Sequence, residues 1–356
     1  MYKSIQNKSL QRNESYLLIT IVTLIILSYL FAIVLQINPI KKNPFDAYDT
    51  MWFRLIKDFG YFSRQSLAFS WFSIEILYFH NNPFLAILIN FWLLQLNYHF
   101  LTLSIDRMKA SVNIFIFILC PAFVFLMIAQ YTETIFQTVA FAIQFYYLNN
   151  DLTHSILFYF IAILMRSNGF LLGIFPAHLF YSRLISGELN IFSAFIIAAA
   201  LVLVTLVAFW VFLFDIDDSK NLLEKLIEYN SIQAEFWGVG FLKYYKFSNI
   251  FQIFVGFLVI IPLFYANIKK LLKLKFKIFE AYSETPFILY NLSLLMTGLL
   301  MANTQIVLRL VTSSMTTYII YGELYNRNPR RYIAYLSFFL GFGLILWPID
   351  SGVVFC

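Results

Sequence analysis

The 356 residues are 61% hydrophobic and only 12% charged, with a mean hydropathy of +0.75, where a water-soluble domain carries about 25% charge. That balance excludes a soluble globule, and 42 Phe with 23 Tyr exclude intrinsic disorder, which needs low hydrophobicity and high charge. The net charge of +6 has no soluble basic face to occupy, so it points to membrane topology rather than to nucleic acid.

Taken in chain order, the breaks between apolar runs predict membrane helices near 16–37, 84–104, 112–129, 133–149, 154–165, 168–182, 191–214, 249–268, 285–303, 304–323 and 332–349. A span needs about 20 apolar residues, so the chain has room for roughly nine to eleven crossings, with the shorter runs read as re-entrant or broken. The runs are continuous rather than alternating, which excludes a membrane β-barrel. The expected class is an all-α polytopic membrane protein, and 1–356 reads as a single polytopic membrane domain because no internal repeat or linker divides it. The first run, 16–37, exceeds a signal-peptide core and is read as a retained span. Cys120 and Cys356 are too few for a disulfide framework.

With the N-terminus cytosolic, alternation puts 1–15, 105–111, 150–153, 183–190, 269–284 and 324–331 on one side. Together with Glu323, these segments hold 14 of the 25 basic but 7 of the 19 acidic residues, the positive-inside pattern. The basic run at 269–277 is read as a topology determinant ahead of a lipid-phosphate site. Two long polar stretches, 38–83 and 215–248, then face the opposite side as first and second outer loops.

Ionisable groups at membrane depth cost about 2.5 kcal/mol or more, which makes them candidate site residues. In the first outer loop, Pro44-Phe45-Asp46-Ala47-Tyr48-Asp49-Thr50 opens an amphipathic stretch running to Gly60-Tyr61. A helix lying in the interface would hold a carboxylate, Asp46 or Asp49, at membrane level, where it can act as general base or simply start the helix. Gln130-Tyr131-Thr132-Glu133 precedes a span, with helix capping as the alternative role. Arg166-Ser167-Asn168-Gly169 breaks two apolar runs: Arg166 can hold a phosphate or snorkel, and Asn168-Gly169 reads as a tight turn. From Glu235 to Tyr245 an interfacial aromatic belt explains the rings, whereas Gly238 and Gly240 call for close backbone approach. Gln305 and Arg309 share a helical face, followed by Ser313-Ser314, and burying Arg309 requires an acidic or phosphate partner. The four histidines lack ligand spacing, so neither a metal nor a cofactor is expected. The sequon-like triplets at Asn7, Asn13 and Asn291 fall in the cytosolic tail or a span, where no glycan is expected.

These clusters, in this order, resemble the GPI mannosyltransferase II family (PIG-V), polytopic enzymes with the GT-C architecture. That family has a Trp-Asp pair, then Gly-Tyr, then Ala-Phe in its first outer loop. Here Tyr48-Asp49 lies at the matching distance before Gly60-Tyr61, and Ala68-Phe69 follows, which selects Asp49 over Asp46. Pro121-Ala122, Tyr131-Thr132-Glu133, Arg166-Ser167-Asn168-Gly169, Phe236-Trp237, the segment from Val239 to Tyr245, and Gln305, Arg309, Ser313 and Ser314 continue the likeness across residues 48–325. The family's Trp before the acid is Tyr48 here, its following His is Trp52, and the prolines after Ala-Phe are replaced by Ser70-Trp71-Phe72.

The resemblance implies transfer of the second, α1,6-linked mannose from dolichyl-phosphate mannose to the GPI precursor, a mannosyl-glucosaminyl-acylphosphatidylinositol, in the lumen of the endoplasmic reticulum. It makes Asp49 the general base of an inverting reaction. Glu133, Arg166, Asn168, Lys243, Gln305 and Arg309 become substrate-binding residues, with one of Arg166, Lys243 and Arg309 steadying the leaving phosphate. Membrane lipid and a small membrane subunit complete the expected partners. The rival readings are a GT-C mannosyltransferase with another acceptor, and a lipid transporter or scramblase.

Overall fold

The computed structural model describes residues 49–77, 83–108, 132–217, 219–274, 284–302, 304–332 and 334–335. Every regular element among them is helical. The runs expected at 16–37, 112–129 and most of 332–349 lie outside the described residues, as do Asp46, Tyr48, Gln130, Tyr131 and both cysteines.

The first outer loop contributes α1 (Asp49–Phe59), a 3-10 turn (Ser66–Ala68) and α2 (Trp71–Leu77), followed by α3 (Pro83–Met108). The apolar side of α1 does not stand free: Phe53 and Ile56 are buried against Ile74, and Trp52 stacks on Phe62 and Phe69. Next come α4 (Glu133–Leu148), α5 (Leu152–Met165), a 3-10 segment (Ser167–Gly173), α6 (Ile174–Ile185) and α7 (Ile191–Phe212). Of these, α7 alone among the described residues is both long and apolar enough to cross a membrane by itself. Its sides carry exposed Ile191, Phe195, Leu203, Leu206 and Trp210.

The second polar stretch, read from sequence only as a loop, contains a regular helix, α8 (Leu222–Phe236). It starts on a reciprocal cap, with Asn221 accepting from the Glu224 backbone and Glu224 from that of Asn221. The chain closes with α9 (Ile250–Lys273), α10 (Thr285–Met301), α11 (Thr304–Val311) and α12 (Met315–Arg327). The run expected at 304–323 is therefore two helices with a break at Thr312-Ser313-Ser314.

One buried core, built from α3 to α7 and α9 to α12, unites these helices. Polar contacts at its two ends fix which segments are neighbours. At one end, Arg183 donates to the backbone and side chain of Asn150, and Lys270 of α9 meets Glu323 of α12 at 2.6 Å. At the other end, Arg64 of the first loop pairs with Glu235 of α8 at 2.5 Å and reaches Ser231, while Phe69 packs edge-on against Trp237. Among the described residues, two pairs of the segments assigned to one side by alternation thus meet, and the two outer loops form one layer at the opposite end.

That layer is tied to the helices through α5. Ser70 and Ser73 donate to the carbonyls of Leu164 and Met165, each at 2.5 Å, which a helix C-terminus otherwise leaves unmet. Both serines are buried, and each such bond contributes about 1 kcal/mol. The double variant Ser70→Ala/Ser73→Ala should therefore loosen residues 49–77 selectively. Limited proteolysis should then cut this loop about tenfold faster than in wild type, with the helical core resistant.

Candidate functional site

Four residues singled out from separate stretches of sequence come together where α4, α5 and α11 meet beneath the loop layer. Glu133 opens α4 and is 4% exposed. Its Oε1 accepts from Arg166 Nη1, and from Arg309 Nε at 2.7 Å and Nη2. Arg166 also donates from Nε to Asn168 Oδ1 at 3.2 Å and from Nη1 to Thr132 Oγ1 at 3.1 Å, and lies over the Phe136 ring. Thr132 therefore does not cap α4 with its side chain; it serves the arginine. The acidic partner expected for Arg309 is Glu133, 176 residues earlier in the chain.

Two polar atoms in this cluster stay unmet: Glu133 Oε2, an acceptor, and Asn168 Nδ2, a donor, are both buried without a hydrogen-bond partner. Both guanidiniums bond the same carboxylate oxygen, Glu133 Oε1. Burial strengthens these ion pairs, because few water dipoles screen them.

Local structure explains how each side chain gets there. Arg166 ends α5 in extended backbone, and the 3-10 segment from Ser167 turns the chain back against it. Gly169 does not supply the left-handed turn that Asn-Gly implied; it supplies contact. A Cβ there would sit 2.2 Å from the Ala162 carbonyl oxygen, so Gly169→Ala should lower stability by about 1–3 kcal/mol, read as a fall in the melting temperature of the purified protein.

Arg309 is placed by the break after α11. Gln144 donates to the Ser313 carbonyl at 2.9 Å and accepts from the Met315 backbone at 3.0 Å. Tyr318 donates to the Thr312 carbonyl, and Tyr290 and Ser313 join through their hydroxyls at 2.8 Å. A helix can be interrupted inside an apolar core only when its backbone groups find such partners. The Ser-Ser motif is thus the break itself, one turn beyond Arg309.

From the loop layer, Gln233 donates to the Tyr229 hydroxyl, which donates to Ser167 Oγ at 3.3 Å beside Arg166. The packed surroundings of Tyr229 push its phenol above the ordinary value, so it stays a donor at neutral pH. The 3-10 neighbour of Arg166 is in this way linked to α8.

Of the remaining candidates, Asp49 and Gln305 are placed by their helices alone. Asp49 is the first residue of α1, which packs on α2, the helix fastened to the carbonyls just before Arg166. Gln305 stands in the first turn of α11. Lys243 is exposed, its stem folded over Gly240, and is not brought to the cluster. The close approach expected of the glycines is real but internal: Gly240 and Leu242 donate to the carbonyls of Met301 and Leu300 at 2.7 Å, while Gly238 takes a left-handed φ of 64°.

No protein-family model, curated protein or solved structure matches this chain.

Sequence reasoning missed Gln144, Tyr229 and Arg64. Gln144 sits amid an apolar run, where a lone amide is an intramembrane polar signal. Tyr229 lies on a helix that the Asn221–Glu224 capping pattern announced. Arg64 carried no signal, because its acidic partners are 164 to 171 positions away.

Proposed function

We propose that this chain is a polytopic membrane glycosyltransferase of GT-C type, similar to the GPI mannosyltransferase II family. In this reading it transfers mannose from dolichyl-phosphate mannose to the mannosyl-glucosaminyl-acylphosphatidylinositol acceptor at the lumenal face of the endoplasmic reticulum. The observation that carries it is the convergence of Glu133, Arg166, Asn168 and Arg309, drawn from three separated motifs of the resemblance, beneath a layer made by both outer loops.

The placement supports the following chemistry. The acceptor 6-hydroxyl oxygen bonds to the anomeric carbon, the bond from that carbon to the phosphate oxygen breaks, and the phosphate leaves with the electron pair. Arg166 and Arg309 face that departing charge with preset donors, the kind of electrostatic stabilisation worth most in a water-poor site. Asp49, at the start of a loop helix fastened next to Arg166, takes the acceptor proton. Lipid-borne substrates meet the protein on apolar flanks such as that of α7.

Cells lacking the second GPI mannosyltransferase test this directly. Expression of the wild-type chain should restore GPI-anchored surface proteins. Failure by a well-expressed chain that still consumes dolichyl-phosphate mannose would overturn the acceptor, and failure to transfer mannose to any lipid would overturn the reaction.

A further inference from the structure

Between α8 and α9 the chain exposes apolar side chains and cations together, on a strained backbone. Phe241 is 67% exposed, Leu242 47% and Phe247 89%, with Lys243 and Lys246 exposed between them. We propose that residues 241–247 are a wedge that binds anionic phospholipid at the membrane surface on the side of the loop layer. Phe241, Leu242 and Phe247 seat among the acyl chains, and Lys243 and Lys246 take the headgroup phosphates. This rests on the membrane part of the proposed function and not on the transfer reaction.

The first observation is continuity with an apolar flank. Ile250, Phe254, Leu258, Ile261 and Tyr265 are exposed along α9 at helical spacing, as one stripe. At 1.5 Å per residue that stripe is about 22 Å long, against a hydrocarbon core of about 30 Å. Its far end meets cations: Lys269 lies over the Tyr265 ring, and Lys270 pairs with Glu323. Its near end meets Phe247 and Lys246 within about one turn. Rings and cations thus bracket the stripe as they bracket a bilayer core.

The second observation is the backbone. Leu242 has a φ of 54°, where its Cβ crowds the following carbonyl and where residues other than Gly, Asn or Asp seldom go. The turn is held there from below. Gly240 and Leu242 donate to the carbonyls of Met301 and Leu300, and the Tyr245 hydroxyl donates to that of Leu299 at 2.9 Å. These are three of the last four carbonyls of α10, which the helix itself leaves unmet. In water the turn loses free energy twice, through strain and through apolar exposure. Acyl chains around the leucine remove the second loss.

Charge selects the lipid. Lysines keep their stems with apolar surface while their ammonium groups reach the headgroups, and an anionic surface holds them more tightly than a zwitterionic one. The Lys243 stem already lies against Gly240. The bonds to α10 also carry the effect inward, since α11 begins at Thr304 and bears Arg309. Lipid on the wedge steadies the junction from which that arginine is placed.

The test is hydrogen exchange on the full-length chain in nanodiscs of phosphatidylcholine, alone or mixed equally with phosphatidylglycerol. The amides of Gly240 and Leu242 report locally, so the basic run at 269–277 does not enter the reading. Phosphatidylglycerol should slow exchange across residues 239–247 by about tenfold or more, the worth of two basic residues on an anionic surface. Lys243→Gln/Lys246→Gln should abolish that slowing. Leu242→Gly should exchange about tenfold faster in both lipids, since an apolar side chain leaves the acyl layer. Its melting temperature in detergent should nevertheless equal or exceed that of wild type, because glycine relieves the strain. Loss of protection with stability retained cannot come from a general loss of fold. Equal exchange in both lipids, unchanged slowing in the lysine variant, or the same slowing from inorganic phosphate would overturn the wedge. So would a Leu242→Gly variant that melts lower with its exchange in lipid unchanged, which would make Leu242 an internal packing residue. A chain that stays dispersed without detergent or lipid would remove the membrane reading as well; one that needs lipid but shows no change at 239–247 would remove the wedge alone.

Discussion

Glu133→Ala is expected to destabilise the protein by about 3–5 kcal/mol, the cost of leaving buried charges without their partner. Glu133 is 4% exposed, the Arg309 side chain 9% and the Arg166 side chain 20%, so water cannot take over the lost contacts. Replacing all three charges, Glu133→Met with Arg166→Met and Arg309→Met, should recover much of that loss, because a buried ion cluster is seldom more stable than apolar side chains of similar size. The triple variant should still be inactive. Thermal unfolding in detergent reads the first result and mannosyl transfer the second. A single variant that melts with wild type would mean that the two arginines find other anchors, and the cluster would lose its structural role. Recovery of fold without recovery of activity is the pattern of a cluster kept for its ligand.

Much of the site was legible in sequence because charge is scarce here. In a chain with 12% charged residues, each ionisable group beside an apolar run stands out, and Glu133, Arg166 and Arg309 were picked on that ground. Sequence also required a partner for Arg309, but could not say that Glu133 would serve two arginines through one oxygen, since that depends on the packing of α4, α5 and α11. Sequence grouped the loops by their basic residues, and the Arg64–Glu235 and Lys270–Glu323 pairs each join segments of one group. The interruption of α11 and α12 was hidden. Thr312-Ser313-Ser314 is weakly helix-averse by itself, and what permits the break is Gln144, more than 160 positions away. Lys243, which the resemblance put among the substrate-binding residues, is exposed with its stem over Gly240, and its segment docks on the end of α10 through Gly240 and Leu242.

The division of labour between carboxylates leads to the second large effect. A transfer with inversion needs a base on the acceptor side and positive charge on the leaving-group side, and the two must be kept apart, since a carboxylate beside a guanidinium is held as its counter-ion. Glu133 is such a counter-ion: Oε1 is engaged by both arginines, which removes its basicity. Asp49 opens a helix in the loop layer, which α2 joins to α5 through Ser70 and Ser73. In the proposed reaction the base on that helix serves the acceptor and the arginines serve the phosphate. Asp49→Asn should therefore lower mannosyl transfer by about 10²–10⁴-fold, the usual contribution of a positioned base. Its melting temperature should stay near wild type, because a carboxylate in a first helical turn contributes only about 0.3–1 kcal/mol. Binding of farnesyl phosphate mannose should also hold, since the arginine cluster is untouched, and Asp46→Asn should transfer at nearly the wild-type rate. A transfer rate for Asp49→Asn within tenfold of wild type would move the base elsewhere while leaving the arginine cluster in place. Loss of transfer together with donor binding would instead make Asp49 part of the donor site, and the separation of the two charges would no longer explain why the chain keeps Asp49 and Glu133 on different elements.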